Sequence, residues 1–144
     1  MESHEQIYDS PVGNVKTHIR MYLESNGHKG HIYRGLPTLL IITRGRKSGK
    51  LRRSALIYGR EGRNYIIVAS NGGSPHNPLW YLNLVAQPEA EIQVGAEKFT
   101  VRARTVSPEE KLRLWPMMTK IFPTYIQYQR KAGRKIPVVM LEPI

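Results

Sequence analysis

No cysteine occurs among the 144 residues. That excludes disulfides, thiol catalysis and cysteine-ligated metals together, and it is compatible with a reducing compartment. No run of ~20 apolar residues occurs either, so no helical span of a bilayer is expected. The start, Met1-Glu2-Ser3-His4-Glu5, is polar and acidic. It lacks the basic and then apolar stretches of a secretory signal, so a cytoplasmic protein is expected. Acidic residues are scarce, eleven against twenty-two Lys and Arg, which leaves a formal net charge of +11. An excess that large implies an anionic partner: nucleic acid, acidic lipid or a polyanionic small molecule.

The familiar side-chain catalysts are missing as well. The five histidines, His4, His18, His28, His31 and His76, form no H-E-x-x-H or other metal-ligand spacing, so no metal is expected. No G-x-S-x-G elbow, no G-x-x-x-x-G-K-[S/T] phosphate loop and no carboxylate pair suited to acid–base work is present. If the chain is an enzyme, a bound redox cofactor carries the reaction and the protein supplies position and electrostatics.

What is present fits one domain, with no internal repeat or low-complexity tract. Ser10-Pro11 reads as a helix start and Asn26-Gly27 as its stop, with Val12, Val15, Ile19, Tyr22 and Leu23 at helical spacing. Strands are expected over 38–43, 52–58, 65–70, 89–94, 98–106 and 136–141, with turns at 45–49, 59–62 and 95–96. Asn77-Pro78 should open a helix through Leu84, and Ser107 with Glu110 forms a capping box for another. Pro123 should end that helix before a short one over 125–131. Six strands joined mostly by short turns favour an antiparallel sheet, and one this size tends to curl into a small barrel with helices over one opening.

Three stretches could carry chemistry. Thr43 to Arg53 holds six cationic residues in eleven, with Gly45 and Gly49. It suits phosphate or carboxylate groups, but equally an exposed basic hairpin or a nucleic-acid patch. Ala69 to Asn83 runs from a strand through Gly72-Gly73 into the Asn77-Pro78 helix start, with Trp80 and Tyr81 beyond. Such a loop admits a flat ring or an anion, or is a plain connection with a core Trp. Phe122, Tyr125 and Tyr128 share one helical face, which could wall an apolar acceptor or simply fill a core.

Taken together, these stretches resemble the deazaflavin (coenzyme F420)-dependent nitroreductase and quinone reductase family. Thr43 to Gly49 matches its T-x-G-R-K-[S/T]-G motif, and Ala69 to Leu84 its A-S-x-G-G…N-P-x-W-Y-L-N-L signature. Phe122 to Tyr128 matches its aromatic-Pro-Tyr tail, and Ile136 to Val139 its closing strand. The resemblance spans about residues 36–143. It implies an α+β, mostly β fold: a split β-barrel, FMN-binding-like, over 36–144, with helices packed over it and an N-terminal helix and loop over 1–35. It implies coenzyme F420, whose phosphate and polyglutamate tail would meet Arg46, Lys47, Ser48, Arg52 and Arg53. Ser54, Ala55, Leu56, Ile57, Val68, Ala69, Ser70, Asn71, Leu79, Trp80, Tyr81, Leu82 and Asn83 would surround the rest, with Tyr125 approaching the ring.

The implied reaction is hydride transfer from reduced deazaflavin to a quinone-like, enone or nitroaromatic acceptor. Ser70 and Tyr125 are then the candidates to stabilise or protonate the product, with water as an alternative proton source. Ile57, Asn71 and Phe122 depart from some relatives, which puts nitro compounds in doubt. The N-terminal helix packs on the barrel, covers the acceptor site, or touches the inner face of the membrane. Monomer and homodimer are both open. The competing readings are an FMN-binding barrel reductase or oxidase, a cofactor carrier without turnover, and a basic barrel that binds nucleic acid. Aromatics are not interleaved with the cations of the 44–53 run, which argues against the last.

Overall fold

Residues 5–144 are described in a computed structural model, and the first four residues, with His4, lie outside the described residues. The strands are β1 (Ile7–Asp9), β2 (Ile32–Tyr33), β3 (Leu36–Arg44), β4 (Leu51–Ile57), β5 (Gly59–Glu61), β6 (Asn64–Val68), β7 (Glu89–Val94), β8 (Glu97–Thr105) and β9 (Val138–Pro143). The helices are α1 (Gly13–Glu24), α2 (Leu79–Ala86), α3 (Pro108–Ile121) and α4 (Thr124–Ala132). The strands form one sheet in the order β1-β4-β3-β7-β8-β9-β6-β5, with β2 on β3. Every pairing is antiparallel except β1 on β4, where Ile7, Tyr8 and Asp9 face Leu51, Arg52 and Arg53.

The six expected strands are present, and three more join them. β1, β2 and β5 have only two or three residues each, too few for an alternating pattern to register. Gly59 to Glu61, expected as a turn, pairs with β6 instead, and the turn moves to Gly62-Arg63. The fold is α+β with a large, mostly antiparallel sheet. It is not a closed barrel, because the hydrogen-bonded path has two free ends. The edges that would close it are taken, β4 by β1 and β6 by β5. Yet β4 and β5 are separated only by Tyr58, so one bend in the chain brings β4, next to one end of the path, to β5 at the other end.

Alternation along the strands sorts the core into layers. Leu39 and Ile41, Tyr65 and Ile67, Ala90 and Ile92, Val101 and Ala103, Val139 and Leu141 point into the curl of the sheet, with Leu84 of α2 over one opening. The residues between them face outward. Ile66, Val68, Val138 and Met140 meet Leu114, Met118 and Tyr125 of α3 and α4. Leu40 meets Ile19 and Tyr22 of α1. Each fully buried Ile or Leu in these layers contributes on the order of 1.5–3 kcal/mol. The segment before residue 36 therefore shares the core of the rest, through β1 on β4 and α1 on β3.

Local signals explain the helix ends. Ser107 Oγ accepts from the Glu110 amide at 3.1 Å while the Glu110 carboxylate accepts from the Ser107 amide at 3.0 Å, the expected capping box. α1 starts at Gly13, two residues after the expected Pro11, and stops where Asn26 and Gly27 turn left-handed. Gly27 is also obligatory for space: a Cβ there would lie 2.1 Å from the Gly95 carbonyl oxygen. Asn77 does not cap α2, because its side chain accepts from Arg134 at 2.6 Å.

Candidate functional site

The cationic stretch forms the turn between β3 and β4. Gly45 donates to the Lys50 carbonyl and Gly49 to that of Gly45, both at 2.8 Å, while Ser48 Oγ accepts from the Lys50 amide at 3.1 Å. Gly45 leaves room for that hydroxyl, since a Cβ would sit 2.6 Å from it. One buried amide ties the turn to α2. Asn83 Oδ1 accepts from the Arg46 amide at 3.1 Å, and its Nδ2 donates to Thr43 Oγ1 at 3.0 Å. Arg46, Lys47, Ser48, Lys50 and Arg52 remain exposed.

Beside this turn opens a cleft of about 520 Å³. One wall is cationic, with Arg46, Lys47 and Ser48 of the turn and Arg52, Arg53 and Ser54 of β4. A second is apolar, with Ile41, Leu79 and Trp80, and Asn83 lies at their junction. The third wall is Tyr8 to Pro11. The Tyr8 ring lies under Lys50 and Arg52, with 5.1 and 5.3 Å from cation to ring centre, and Asp9 pairs with Arg53 at 3.3 Å. A larger groove of about 680 Å³ lies along β3, β7 and β8, but it carries Glu89 and Glu91 beside Arg44 and Lys98. That mixture does not suit a polyanion; the 520 Å³ cleft does.

The remaining residues singled out from the sequence are placed elsewhere. Leu56 and Tyr81 pack on the interior core, and the Tyr81 hydroxyl shares a 2.8 Å hydrogen bond with Thr105. Ala55 packs beside α1, while Ile57 and Leu82 are half-buried outside the cleft. Val68, Ala69 and Ser70 are buried at the end of β6, and Asn71 is exposed with a left-handed φ of 48°. Gly73 serves packing rather than a ligand, since a Cβ would lie 3.1 Å from the Tyr128 Cα. Tyr125 is 4 % exposed, edge-on to Phe122 at 5.0 Å between ring centres. Burial pushes its hydroxyl well above the usual tyrosine range. Neither Ser70 nor Tyr125 lines the cleft.

Two features had no sequence signal. Arg134, just past the left-handed Gly133, donates to the carbonyls of Ala69, Ser70, Ser74 and His76 and to the Asn77 side chain, at 2.6–3.3 Å. It fastens the 69–77 loop to the end of α4, beside the packing of Gly73 on Tyr128. The Tyr8–Asp9 wall comes from a three-residue strand that no periodicity could reveal. Among the described residues, no group of three or more His, Asp or Glu could hold a metal. No helix among them is long and apolar enough to cross a membrane.

A cationic turn faces an apolar, Trp-lined wall on a curled antiparallel sheet, an arrangement that suits a ring compound with an anionic tail. The model of the F420H(2)-dependent quinone reductase family matches residues 14–143. An F420H(2)-dependent quinone reductase of Mycobacterium tuberculosis is 41% identical over 131 residues, 88% of either chain. A solved F420-H2-dependent reductase superposes with a TM-score of 0.68 at 38% identity, covering 74% of this chain and 94% of that one. A second structure, described as a domain-swapped dimer, gives 0.70 at 34% identity over 92% of this chain and all of that one. The chain belongs to the F420H(2)-dependent quinone reductase family. It is accordingly an oxidoreductase, and its cofactor is coenzyme F420.

Proposed function

We propose that the 520 Å³ cleft is the coenzyme site and that the protein passes the coenzyme's hydride to a quinone-like acceptor. The supporting observation is the meeting of Arg46, Lys47, Ser48 and Arg52 with the apolar Leu79–Trp80 wall in one cleft. The residues fit the group. Cations and a hydroxyl on one side suit a phosphate and glutamate carboxylates, and the apolar side suits a flat ring. Arg46, Lys47, Ser48, Arg52 and Arg53 hold the anionic end in this reading. Ser54, Leu79, Trp80 and Asn83 border the rest, with Ala55, Leu56, Ile57, Val68, Ala69, Asn71, Tyr81 and Leu82 shaping the surroundings from behind. When bound, reduced deazaflavin supplies the hydride. The protein orients it, excludes water and stabilises the charge that develops on the acceptor. Ser70 and Tyr125 are the hydroxyls proposed for that last task. A tyrosine is protonated at neutral pH, as a donor must be, and burial of Tyr125 moves its hydroxyl further in that direction. Enones are within the same chemistry. Nitroaromatics fit less well with Ile57, Asn71 and Phe122 in place.

Support for a split barrel comes from the bend at Tyr58, which carries the chain from β4, next to one end of the sheet path, to β5 at the other. Two exposed apolar side chains, Val12 at 56 % and Leu79 at 74 %, lie at or next to the cleft and suit contact with an apolar acceptor or a membrane surface. Titration of the coenzyme by fluorescence, followed by anaerobic mixing of its reduced form with menadione, tests the proposal. Micromolar or tighter binding that FMN does not displace, with acceptor-dependent oxidation above background, is expected. FMN displacing the coenzyme would favour a flavin barrel, and binding without turnover a carrier. Arg46→Ala with Lys47→Ala should weaken binding strongly, more for longer glutamate tails and less at high salt.

A further inference from the structure

Among the described residues the cleft has one carboxylate, on the wall beside its cations. Asp9 lies on β1, in register with Arg53, and its Oδ1 is 3.3 Å from that guanidinium. The Arg53 side chain is only 15% exposed and that of Asp9 36%, so the pair sits between core and cleft. The backbone locks this placement. β1 runs parallel to β4, and the Ser10 amide donates to the Arg53 carbonyl at 3.0 Å, which extends the ladder past Asp9. The segment just before that strand carries a second carboxylate, Glu5, which pairs with Arg44 at 2.5 Å. Arg44 lines the larger groove and not the cleft. The N-terminal segment thus holds two acidic residues four positions apart, one lining the anion site and one paired outside it.

We propose that Asp9 is a specificity-determining residue of the cleft: a resident carboxylate that occupies Arg53 and limits how many negative charges a bound tail can place there. The reasoning is electrostatic. A half-buried arginine is costly without a counter-charge, so Asp9 supplies one when the cleft is empty. The same carboxylate repels each incoming phosphate or carboxylate, and for unit charges roughly 7 Å apart in water that repulsion is worth about threefold in affinity per charge. The cleft is therefore tuned to take its anion first on Arg46, Lys47 and Arg52, with Arg53 shared between the anion and Asp9. This rests on the coenzyme reading for the identity of the tail, though not for the existence of an anion site.

The test measures affinity, not turnover. Binding of pyrophosphate, and of coenzyme preparations with one to several glutamates, is titrated against wild type, Asp9→Asn, Asp9→Ser and Glu5→Gln. Each variant is first checked for an unchanged cooperative melt, and the smaller Ser variant has to follow the Asn variant. Both Asp9 variants should bind about three- to tenfold more tightly at low salt, with the gain rising with tail charge and fading at high salt. Glu5→Gln, which removes the same charge from the same N-terminal segment, should stay near wild type. Unchanged or weaker binding on losing Asp9 would overturn the inference, and so would an equal gain from Glu5→Gln, which would point to net charge alone. If no variant binds the coenzyme but the Asp9 variants bind pyrophosphate more tightly, the inference stands and the coenzyme reading fails.

Discussion

Asn83 joins two pieces of the fold with a single amide. It is 6 % exposed, its oxygen holds the Arg46 amide and its nitrogen reaches the 2 % exposed Thr43. Removing it leaves a buried hydroxyl and a backbone N–H without their partners, at a cost of about 1–3 kcal/mol. Asn83→Ala is expected to lower the melting temperature and to loosen the turn, so coenzyme affinity falls although no cation is lost. A variant with wild-type affinity would show that the turn holds its shape unaided. Gly73 is a purely structural counterpart. Its φ of 82° and its contact with the Tyr128 backbone leave no place for a side chain, so Gly73→Ala should cost about 1–3 kcal/mol in chemical denaturation. Tyr125→Phe separates the two roles its ring can have. Loss of turnover with unchanged affinity and melting would assign the hydroxyl to the reaction; unchanged turnover would leave the ring as core.

At the scale of elements, α3 shows how a sequence signal becomes stability. The capping box joins Ser107 and Glu110, and Glu110 also meets Arg104 of β8 through two 2.8 Å bonds. Those bonds to Arg104, with the Ser107 amide second, lower the Glu110 carboxyl from 4.5 to about 2. A depressed folded value means that stability is present above the unfolded value and is lost as pH falls from about 4.5 through about 2. The melting temperatures of wild type and Glu110→Gln should therefore differ at pH 7 and converge near pH 2. The gap is modest because the pair is exposed. A constant gap across that range would mean that the carboxylate's charge contributes nothing. The same scale explains what was legible in the sequence. Strands of five residues or more, the α3 cap, the Asn26-Gly27 stop and the cationic turn all carry local patterns and could be read directly. β1, β5 and the Arg134 clamp depend on partners far along the chain, so nothing local announces them. Asn77 looked like a helix cap for local reasons, and Arg134 drew its side chain away.

For the whole molecule, the question is whether the net charge of +11 or its local arrangement selects the partner. Cations are spread widely over the surface, and a few are matched: Arg102 with Glu89, Arg104 with Glu110 and Glu142, Arg113 with Glu61. A polyanion that samples the whole surface responds to the total, which two substitutions change little. A ligand seated in the cleft responds to the few charges that face it. Arg46→Ala with Lys47→Ala lowers the net charge from +11 to +9. On a heparin column the double variant should elute at only slightly lower salt than wild type, while its coenzyme affinity drops by more than about tenfold. Both properties collapsing together would mean that the turn is the general polyanion surface of the molecule. The nucleic-acid alternative would then have to be taken up in its place.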